Sequence, residues 1–558
     1  MYNLLNQNHM KKIFFLSALL GTAISASAQF AGGTGTASDP YQIETAAQLQ
    51  AVSDYATSCF ILNNDIDLTD VAWTPIASGS TFTGTFDGNG KTVSNLVIEN
   101  GQNGLGLFSR VNTPGVIKNL IMRDCYITGG SWCGILCSTN GNWEKAGGTF
   151  INCDIYDSSI DGGDCTAAFA GAAGGSFEGC RAFNVTVEGS GSNTGGISGD
   201  NENGGHYYDC TFYGSVIASS NAGGICAFYN GTCKVDTCFK NCVVYGSVSS
   251  STGTVGGVLG TPNWNSTNAH IANCAVFADC TGQAVGSFGG NALRGQLVDC
   301  YATGNVKATG SWSHDSYSDP WNGGLCAVNF NGPIQDCYFS GIISKTSDDV
   351  KIAGVCGRNW PGITVKNCYY NSDGASLSMG DGEEPDNYDT HALLPEEMKK
   401  LSNFNFSDMS KWQIVEGETT PFLANQTAPL KFTECSSTRI AGTGESDLAF
   451  VYLIGSMSES LRNEVTVSNG TWSVNLNNGD VVAGETITAI GFDVGKMPSM
   501  VAKMKVTSTT GISAAPAING QAKVIGIYNA AGQAQRGMQQ HQVYILKYAD
   551  GHTMKVVK

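Results

Sequence analysis

Apolar and polar positions along most of the chain alternate in short runs, such as Val243 to Val248 and Tyr301 to Val306, separated by glycine, serine and asparagine. Runs of this length, rich in β-branched and aromatic residues, predict strands and not helices. They recur on a period. The phrase apolar-x-polar-Cys ends at Cys125, Cys153, Cys210, Cys242, Cys274, Cys300, Cys337 and Cys368, with Cys180, after Gly179, as a variant. Successive cysteines lie 26 to 37 residues apart, about 30 on average. A repeat of that length is the mark of a solenoid.

A second landmark follows each cysteine, usually after about 15 residues: Gly195-Gly196-Ile197, Gly223-Gly224-Ile225, Gly256-Gly257-Val258 and, after an insertion, Gly323-Gly324-Leu325, with Ala353-Gly354-Val355 as a variant. A third is an asparagine a few residues on, at Asn140, Asn201, Asn230, Asn263, Asn329 and Asn359. One short strand cannot bury its own face, but coils stacked ~4.8 Å apart can. The expected fold is therefore all-β, a right-handed parallel β-helix of about a dozen coils whose equivalent side chains form ladders. Glycine allows tight corners, and asparagine tolerates the left-handed bend. Thr45 to Tyr55 reads instead as an amphipathic helix suited to plug the N-terminal end of the sheet.

The 20 cysteines change meaning in this frame. A secreted chain with so many invites a disulfide framework. Parallel Cβ vectors on stacked coils would strain such bonds, whereas a thiol packs well as a small buried apolar group. The ladder cysteines are expected to be mostly reduced and inward-facing.

The compartment is read from the N-terminus. Lys11 and Lys12, the apolar run Ile13 to Ile24 and Ala26-Ser27-Ala28 form a signal peptide over residues 1–28, with the true start at Met10 and cleavage after Ala28. No later stretch reaches 18 apolar residues, so no membrane-spanning segment is expected in the mature chain. Charged residues make up only 14%, and the net charge of −17 becomes −19 without Lys11 and Lys12. Such a surface repels a phosphate backbone and excludes nucleic acid as a partner.

The segments Gly35-Thr36-Ala37-Ser38-Asp39-Pro40-Tyr41-Gln42-Ile43, Ala47-Gln48-Leu49, Asn64-Asp65-Ile66-Asp67-Leu68 and Phe82-Thr83-Gly84-Thr85-Phe86-Asp87-Gly88-Asn89-Gly90 resemble the opening of GLUG-motif surface proteins. Gly323-Gly324-Leu325-Cys326-Ala327-Val328-Asn329 through Gly341 is similar to the GLUG repeat itself, with cysteine where the family usually has a small aliphatic residue. The resemblance covers about residues 33–425 and implies a right-handed β-helix on a secreted or surface-exposed protein; with its cap and closing segment the β-helix domain is expected over residues 29–428. Within that closing segment a short helix is expected at Pro395 to Leu401. Residues 429–508, from Ile440-Ala441-Gly442-Thr443-Gly444 through Gly470-Thr471-Trp472-Ser473-Val474 to Ala483-Gly484-Glu485-Thr486-Ile487, resemble a bacterial immunoglobulin-like β-sandwich. Residues 509–558, with Val524-Ile525-Gly526-Ile527-Tyr528-Asn529, Val543-Tyr544-Ile545-Leu546 and Gly551 to Lys558, resemble a type IX secretion C-terminal sorting domain. That likeness implies export through the periplasm by the type IX machinery to the outer cell surface or the medium.

Motifs that carry chemistry are few. No Gly-x-Ser-x-Gly elbow and no His-Glu pair occur, and the loop Gly84 to Thr92 has one residue too many for a phosphate loop, with a strand following. Glycoside hydrolysis needs two carboxylates facing one cleft, yet Asp154, Asp157, Asp161, Asp164, Asp209, Asp299 and Asp336 are scattered, and three of them precede ladder cysteines. His206, His270 and His314 are far apart in the chain. No catalytic residue, resident metal or organic cofactor is assigned. Asp161-Gly162-Gly163-Asp164 and the cluster Asp381, Glu383, Glu384 and Asp386 offer oxygens of the kind calcium takes, though solvated turns have the same composition. Trp132, Trp143, Trp264, Trp312, Trp321 and Trp360 are placed in turns or loops, where they would form a stacking strip for a glycan or a host or bacterial surface protein. Trp264 and Trp360 each follow a ladder asparagine and are expected at one corner of different coils, about 14 Å apart. The resulting reading is an adhesin-like binding protein. A polysaccharide lyase or glycoside hydrolase on the same fold, and a structural surface component, are the alternatives.

Overall fold

The computed structural model describes residues 29–142, 144–263, 269–291, 293–310, 321–381, 388–456, 462–477, 479–507 and the strands at 524–529, 543–548 and 553–557. Ala28, Trp143, Trp264, Trp312 and His314 lie outside the described residues, as do Glu383, Glu384 and Asp386. The chain is nearly all β, with a solenoid of about ten turns and a C-terminal barrel-like sheet. No described helix is long and apolar enough to cross a membrane.

The coil containing Cys210 shows the plan. A two-residue strand Tyr207–Tyr208 leads through Asp209 at φ 55° into Thr211–Ala218, then Asn221–Gly223, then Cys226–Tyr229, each pairing in parallel with its equivalents above and below. The glycine step has a steric cause. A Cβ on Gly196 would lie 2.0 Å from the carbonyl oxygen of Gly224 and 2.6 Å from the Phe212 ring, so backbone and inner ring close on each other only with hydrogen there. At the N-terminal end Ala46–Ala51 is helical, capped by the Thr45 hydroxyl and continued by a 3-10 turn over Val52–Tyr55, with Leu49 and Val52 fully buried over the first coils. The segment from Pro395 to Leu401 is not a helix but a turn followed by a 3-10 helix at Leu401–Asn403. It is too short to sustain helix nucleation, and Met398 is held in an aromatic cluster instead.

The cysteine ladder runs inside the solenoid from Cys153 through Cys180, Cys210, Cys242, Cys274, Cys300 and Cys337 to Cys368, all buried and unbridged. Each thiol donates to nearby carbonyls; Cys210, for example, reaches Phe177 O at 3.5 Å and Tyr208 O at 3.4 Å. Burial raises the pKa of Cys180, Cys210, Cys274, Cys300 and Cys368 and keeps these thiols protonated. The described disulfide, Cys233–Cys238, lies off the ladder.

Cys125 is buried but is not a rung. The register pairs Asp154 with Ile121, so Cys153 stacks on Leu120, while Cys125 meets Ser158 through a 3.0 Å hydrogen bond. These coils turn through the left-handed region twice, at Asn119 and Asp124 and again at Asn152 and Asp157. An inward residue follows each corner, so both corners write the same apolar-x-polar-inward phrase.

The asparagine column needs a similar correction. Asn140, Asn201, Asn329 and Asn359 are buried equivalents, but Tyr229 and Pro262 hold that position in their coils, leaving Asn230 and Asn263 one residue beyond it. The buried members do not make left-handed bends. Their side-chain amides tie down the next loop, as Asn359 does to Ile363 O at 2.7 Å and Asn329 to Gly332 O at 2.9 Å. The left-handed residues are the ones directly before the ladder cysteines, among them Asn152, Asp209, Asn241, Asn273, Asp299, Asp336 and Asn367.

A second column, facing outward, organises the rest of the molecule. Tyr156, Phe183, Tyr213, Tyr245 and Phe277 stand three residues after their cysteines, and Tyr301, Tyr338 and Tyr369 one residue after. Phe404, Phe406, Trp412, Phe422 and Leu423 of the closing segment cover the last of these rings. Tyr452, Ile454, Ile490 and Phe492 cover the first from one face of a seven-stranded antiparallel sheet spanning Lys431–Cys435 to Ala502–Lys505. That sheet keeps its own core on the other face around Leu430, Val451, Leu453 and Trp472. Beyond it, the strands at Val524–Asn529, Val543–Tyr548 and Thr553–Val557 form a small antiparallel sheet.

Candidate functional site

Five tyrosine hydroxyls on the outward column end on the covering segments, Tyr369 by accepting the Asn405 N–H at 2.6 Å. Tyr156 donates to Glu464 at 2.7 Å, Tyr245 to Ser499 O at 2.7 Å and Tyr301 to Gln426 at 2.6 Å, while Tyr338 reaches Thr420 at 3.0 Å and Pro421 O. Lys411 adds an ion pair to the buried Asp299 at 2.6 Å. The C-terminal sheet is thus docked lengthwise on the solenoid flank, and a cleft of about 540 Å³ opens where the two meet.

The solenoid side of this cleft carries Asn152, Gly179, Asp209 and Asn241 from the left-handed column, with Glu178, Arg181 and Thr211 beside them. The opposing side carries Phe450, Phe492 and the loop Asp493 to Pro498. Charges here are largely matched. Arg181 grips Asp154 with two bonds of 2.8 and 2.5 Å and lies over the Phe450 and Phe492 rings, and Lys496 sits 2.8 Å from Asp493. At the rim, Ser176 Oγ lies 3.1 Å from His206 Nδ1, and His206 Nε2 lies 3.0 Å from Glu178. Residues far apart in sequence meet there because one coil returns each strand to the same azimuth.

The tryptophans fall in different settings. Trp132 is 47% exposed, at φ 58°, on the corner before Cys133. Trp321 is no loop residue: it opens the strand Trp321–Gly323, is buried, packs against Gly380 and carries the Lys351 ammonium 4.3 Å over its ring. Trp360 is half-buried, 4.7 Å from the Phe330 ring, with Arg358 and Arg294 lying over Trp360 and Phe330 respectively. Trp360 and Phe330 share a corner column with Asn263, and the expected pairing of Trp264 with Trp360 lies outside the described residues.

Of the calcium candidates, the described pair Asp161 and Asp164 lies at a turn. Both are exposed, and Asp164 accepts the Ser192 N–H at 2.7 Å as a turn residue does. Among the described residues, the carboxylates close enough to share an ion are Glu445, Asp447 and Asp493, and the Lys496 ammonium lies 2.8 to 3.5 Å from all three. His270 is a loop residue whose Nδ1 accepts the Gln296 N–H at 2.8 Å. One titratable group was not anticipated at all. Asp200 faces outward but is buried against Cys165 at 3.2 Å, and desolvation raises its pKa to about 7.

No protein family profile matches the chain. Halomucin of Haloquadratum walsbyi is 34% identical over 137 residues, 22% of this chain, and a "Putative Gly-rich membrane protein" of Evansella cellulosilytica is 37% identical over 127 residues, 21% of this chain. The matched stretches span only 2% and 15% of those two proteins. A crystal structure described as a "putative immunoglobulin A1 protease from Bacteroides ovatus" aligns with a TM-score of 0.31 and 16% identity, covering 71% of this chain and 95% of that one. That likeness is too low to transfer activity.

Proposed function

We propose that the protein is an exported, surface-associated binding protein that recognises a glycan or a surface protein through the loop side of its β-helix. The observation that carries this reading is the corner stack of Arg294, Phe330, Trp360 and Arg358, in which two half-buried rings stand on different coils with cations over their faces. Aromatic rings held at this spacing suit the C–H face of a sugar or the edge of a protein. The immunoglobulin-like reading of residues 429–508 and the sorting-domain reading of 509–558 belong to the same proposal, as does removal of residues 1–28. Binding of the mature chain to an array of glycans and surface proteins, repeated with Trp360→Ala, is the test. Loss of binding with an unchanged far-ultraviolet spectrum supports the corner, and unchanged binding removes it. Truncation after Ser508 in a type IX-competent host should trap the chain in the periplasm; normal surface display would remove the sorting-domain reading.

A second reading, a carbohydrate-active enzyme, is favoured by one observation. Glu178 and Asp209 line the same cleft on adjacent coils, and glycoside hydrolysis needs two carboxylates in one cleft. Release of reducing ends from a polysaccharide by wild type, lost in Glu178→Gln, would establish it.

A further inference from the structure

The left-handed column directly before the eight ladder cysteines is filled by Asn or Asp at seven positions: Asn152, Asp209, Asn241, Asn273, Asp299, Asp336 and Asn367. The exception is Gly179, at φ 63°. Two pairs of neighbouring rungs in this column bond to each other along the axis, Asn241 to Asp209 at 2.9 Å and Asn367 to Asp336 at 2.8 Å. At Gly179 the side-chain rung is missing, and the exposed carboxamide of Asn152 leans over the bare glycine, its Oδ1 2.4 Å from where a Cβ would stand. The gap lies on the wall of the cleft between solenoid and C-terminal sheet. A left-handed position explains why glycine is tolerated there; it does not explain why this break in the ladder falls in a cleft onto which both the ladder and the docked sheet project.

We infer that this cleft is a binding site for a neutral, hydroxyl-rich sugar unit, with a ligand hydroxyl taking the place of the missing rung between Asn152 and Asp209. Those two residues lie two coil steps apart, roughly 9.6 Å. With the Asn152 carboxamide turned to face the gap with its Nδ2, a hydroxyl suits that position because it accepts from that amide while donating to the Asp209 carboxylate, which can only accept. Thr211, Asn241 and Glu178 add further donors and acceptors, and the cleft volume falls within the range of small-molecule sites. Across the gap Val494, 86% exposed, offers an apolar shelf for the C–H face of a ring. Anionic sugars fit poorly, because Glu178 and Asp209 repel them while Arg181 and Lys496 are already held by Asp154 and Asp493. An extended peptide fits poorly too. The flank backbone is consumed by pairing between coils, at Gly179 N to Tyr208 O and Asp209 N to Lys240 O, so no strand edge is offered to it.

This site is separate from the Trp360 corner and fails separately. The test is calorimetric titration of the full chain with a panel of neutral gluco-, manno-, galacto- and xylo-oligosaccharides, with oligogalacturonate as the anionic comparison. Gly179→Asn should rebuild the rung, since asparagine holds the same backbone conformation on the coil before, at Asn152, and the Asn152 amide can swing aside. The expected result is binding of at least one neutral oligosaccharide, weakened about tenfold or more by Gly179→Asn and untouched by Trp360→Ala. Should Gly179→Asn not fold, Val494→Glu, on a largely exposed side chain, must weaken the same binding. The inference is overturned if no neutral sugar of the panel binds, if oligogalacturonate binds more tightly, or if binding survives the cleft variants or depends on Trp360 instead.

Discussion

Two columns run along the same coils, one residue or three residues apart in sequence, and are made of opposite materials. The inner column is sulfur, from Cys153 to Cys368; the outer is aromatic, from Tyr156 to Tyr369. Inside, eight small thiols leave room for the rings of the neighbouring inner column, where Phe177, Tyr207 and Phe239 stack 5.1 and 4.9 Å apart. Outside, large rings reach across to another part of the chain, and Tyr301 and Tyr338 stack at 5.2 Å under Trp412 and Gln426. The inner column is selected for volume within one coil. The outer is selected for whatever covers it, and each ring fully buried is worth roughly 1.5–3 kcal/mol against solvent.

The largest expected effect follows from uncovering the outer column. A chain ended after Leu393 would leave eight rings on one flank without the residues that now cover them. It should associate or precipitate and bind a hydrophobic dye, whereas a chain ended after Thr507, which keeps the cover, should remain monomeric. Sedimentation of the two truncations decides this. Single substitutions should separate the columns more finely. Tyr338→Ala removes a fully buried ring and two hydroxyl contacts and should cost ~3–5 kcal/mol, against ~1–2 kcal/mol for Cys210→Ala, which deletes one atom from a tight interior. Equal costs in urea unfolding would contradict the division of labour.

This difference also decides what could be read in the sequence. The inner ladder was legible because its causes are local: a left-handed residue, then a small inward one, once per coil. Even there, the phrase at Cys125 reads as a rung although Leu120 fills that place, because two corners of one coil obey the same rule. The tryptophan at 321 was placed in a loop because the glycines after it resemble a turn; they mark instead the close approach of coil to coil. The outer column was in plain view as an aromatic after nearly every cysteine, yet it shifts from the third to the first position at Tyr301, which blurs its period. Its meaning depends on a fold-back of the C-terminal sheet that no local pattern announces. The cleft shares this origin. Gly179 was visible as a variant rung, but Phe450 and Val494, which face it, come from about 300 residues later.

A pH effect is expected from a third place, on neither column. Asp200 is protonated in the folded chain up to about 7 and in the unfolded chain only up to 3.8, so the folded state binds the extra proton between those values. Stability contributed by this proton is full below pH 3.8, falls as pH rises towards 7 and is then lost, on the order of 2–4 kcal/mol in all. Its titratable neighbours are Cys165, whose thiol burial pushes upward, and Glu202, whose carboxylate adds to the rise at Asp200. Asp200→Asn should flatten the fall between pH 5 and 7.5 in thermal melts; an unchanged slope would place its origin elsewhere. Smaller still is Tyr301→Phe, which leaves the Gln426 oxygen without its donor and should cost ~1 kcal/mol.

Hydroxyl-radical footprinting of the intact chain tests the docking of the two columns' halves most directly, because Tyr126, 41% exposed, is an internal reference on the same solenoid. Tyr245, Tyr301 and Tyr338, all fully buried under the closing segment and the C-terminal sheet, should be oxidised far more slowly than Tyr126. Oxidation of these three at the rate of Tyr126 would show that the C-terminal sheet stands away from the solenoid, and the account of the outer column would be wrong.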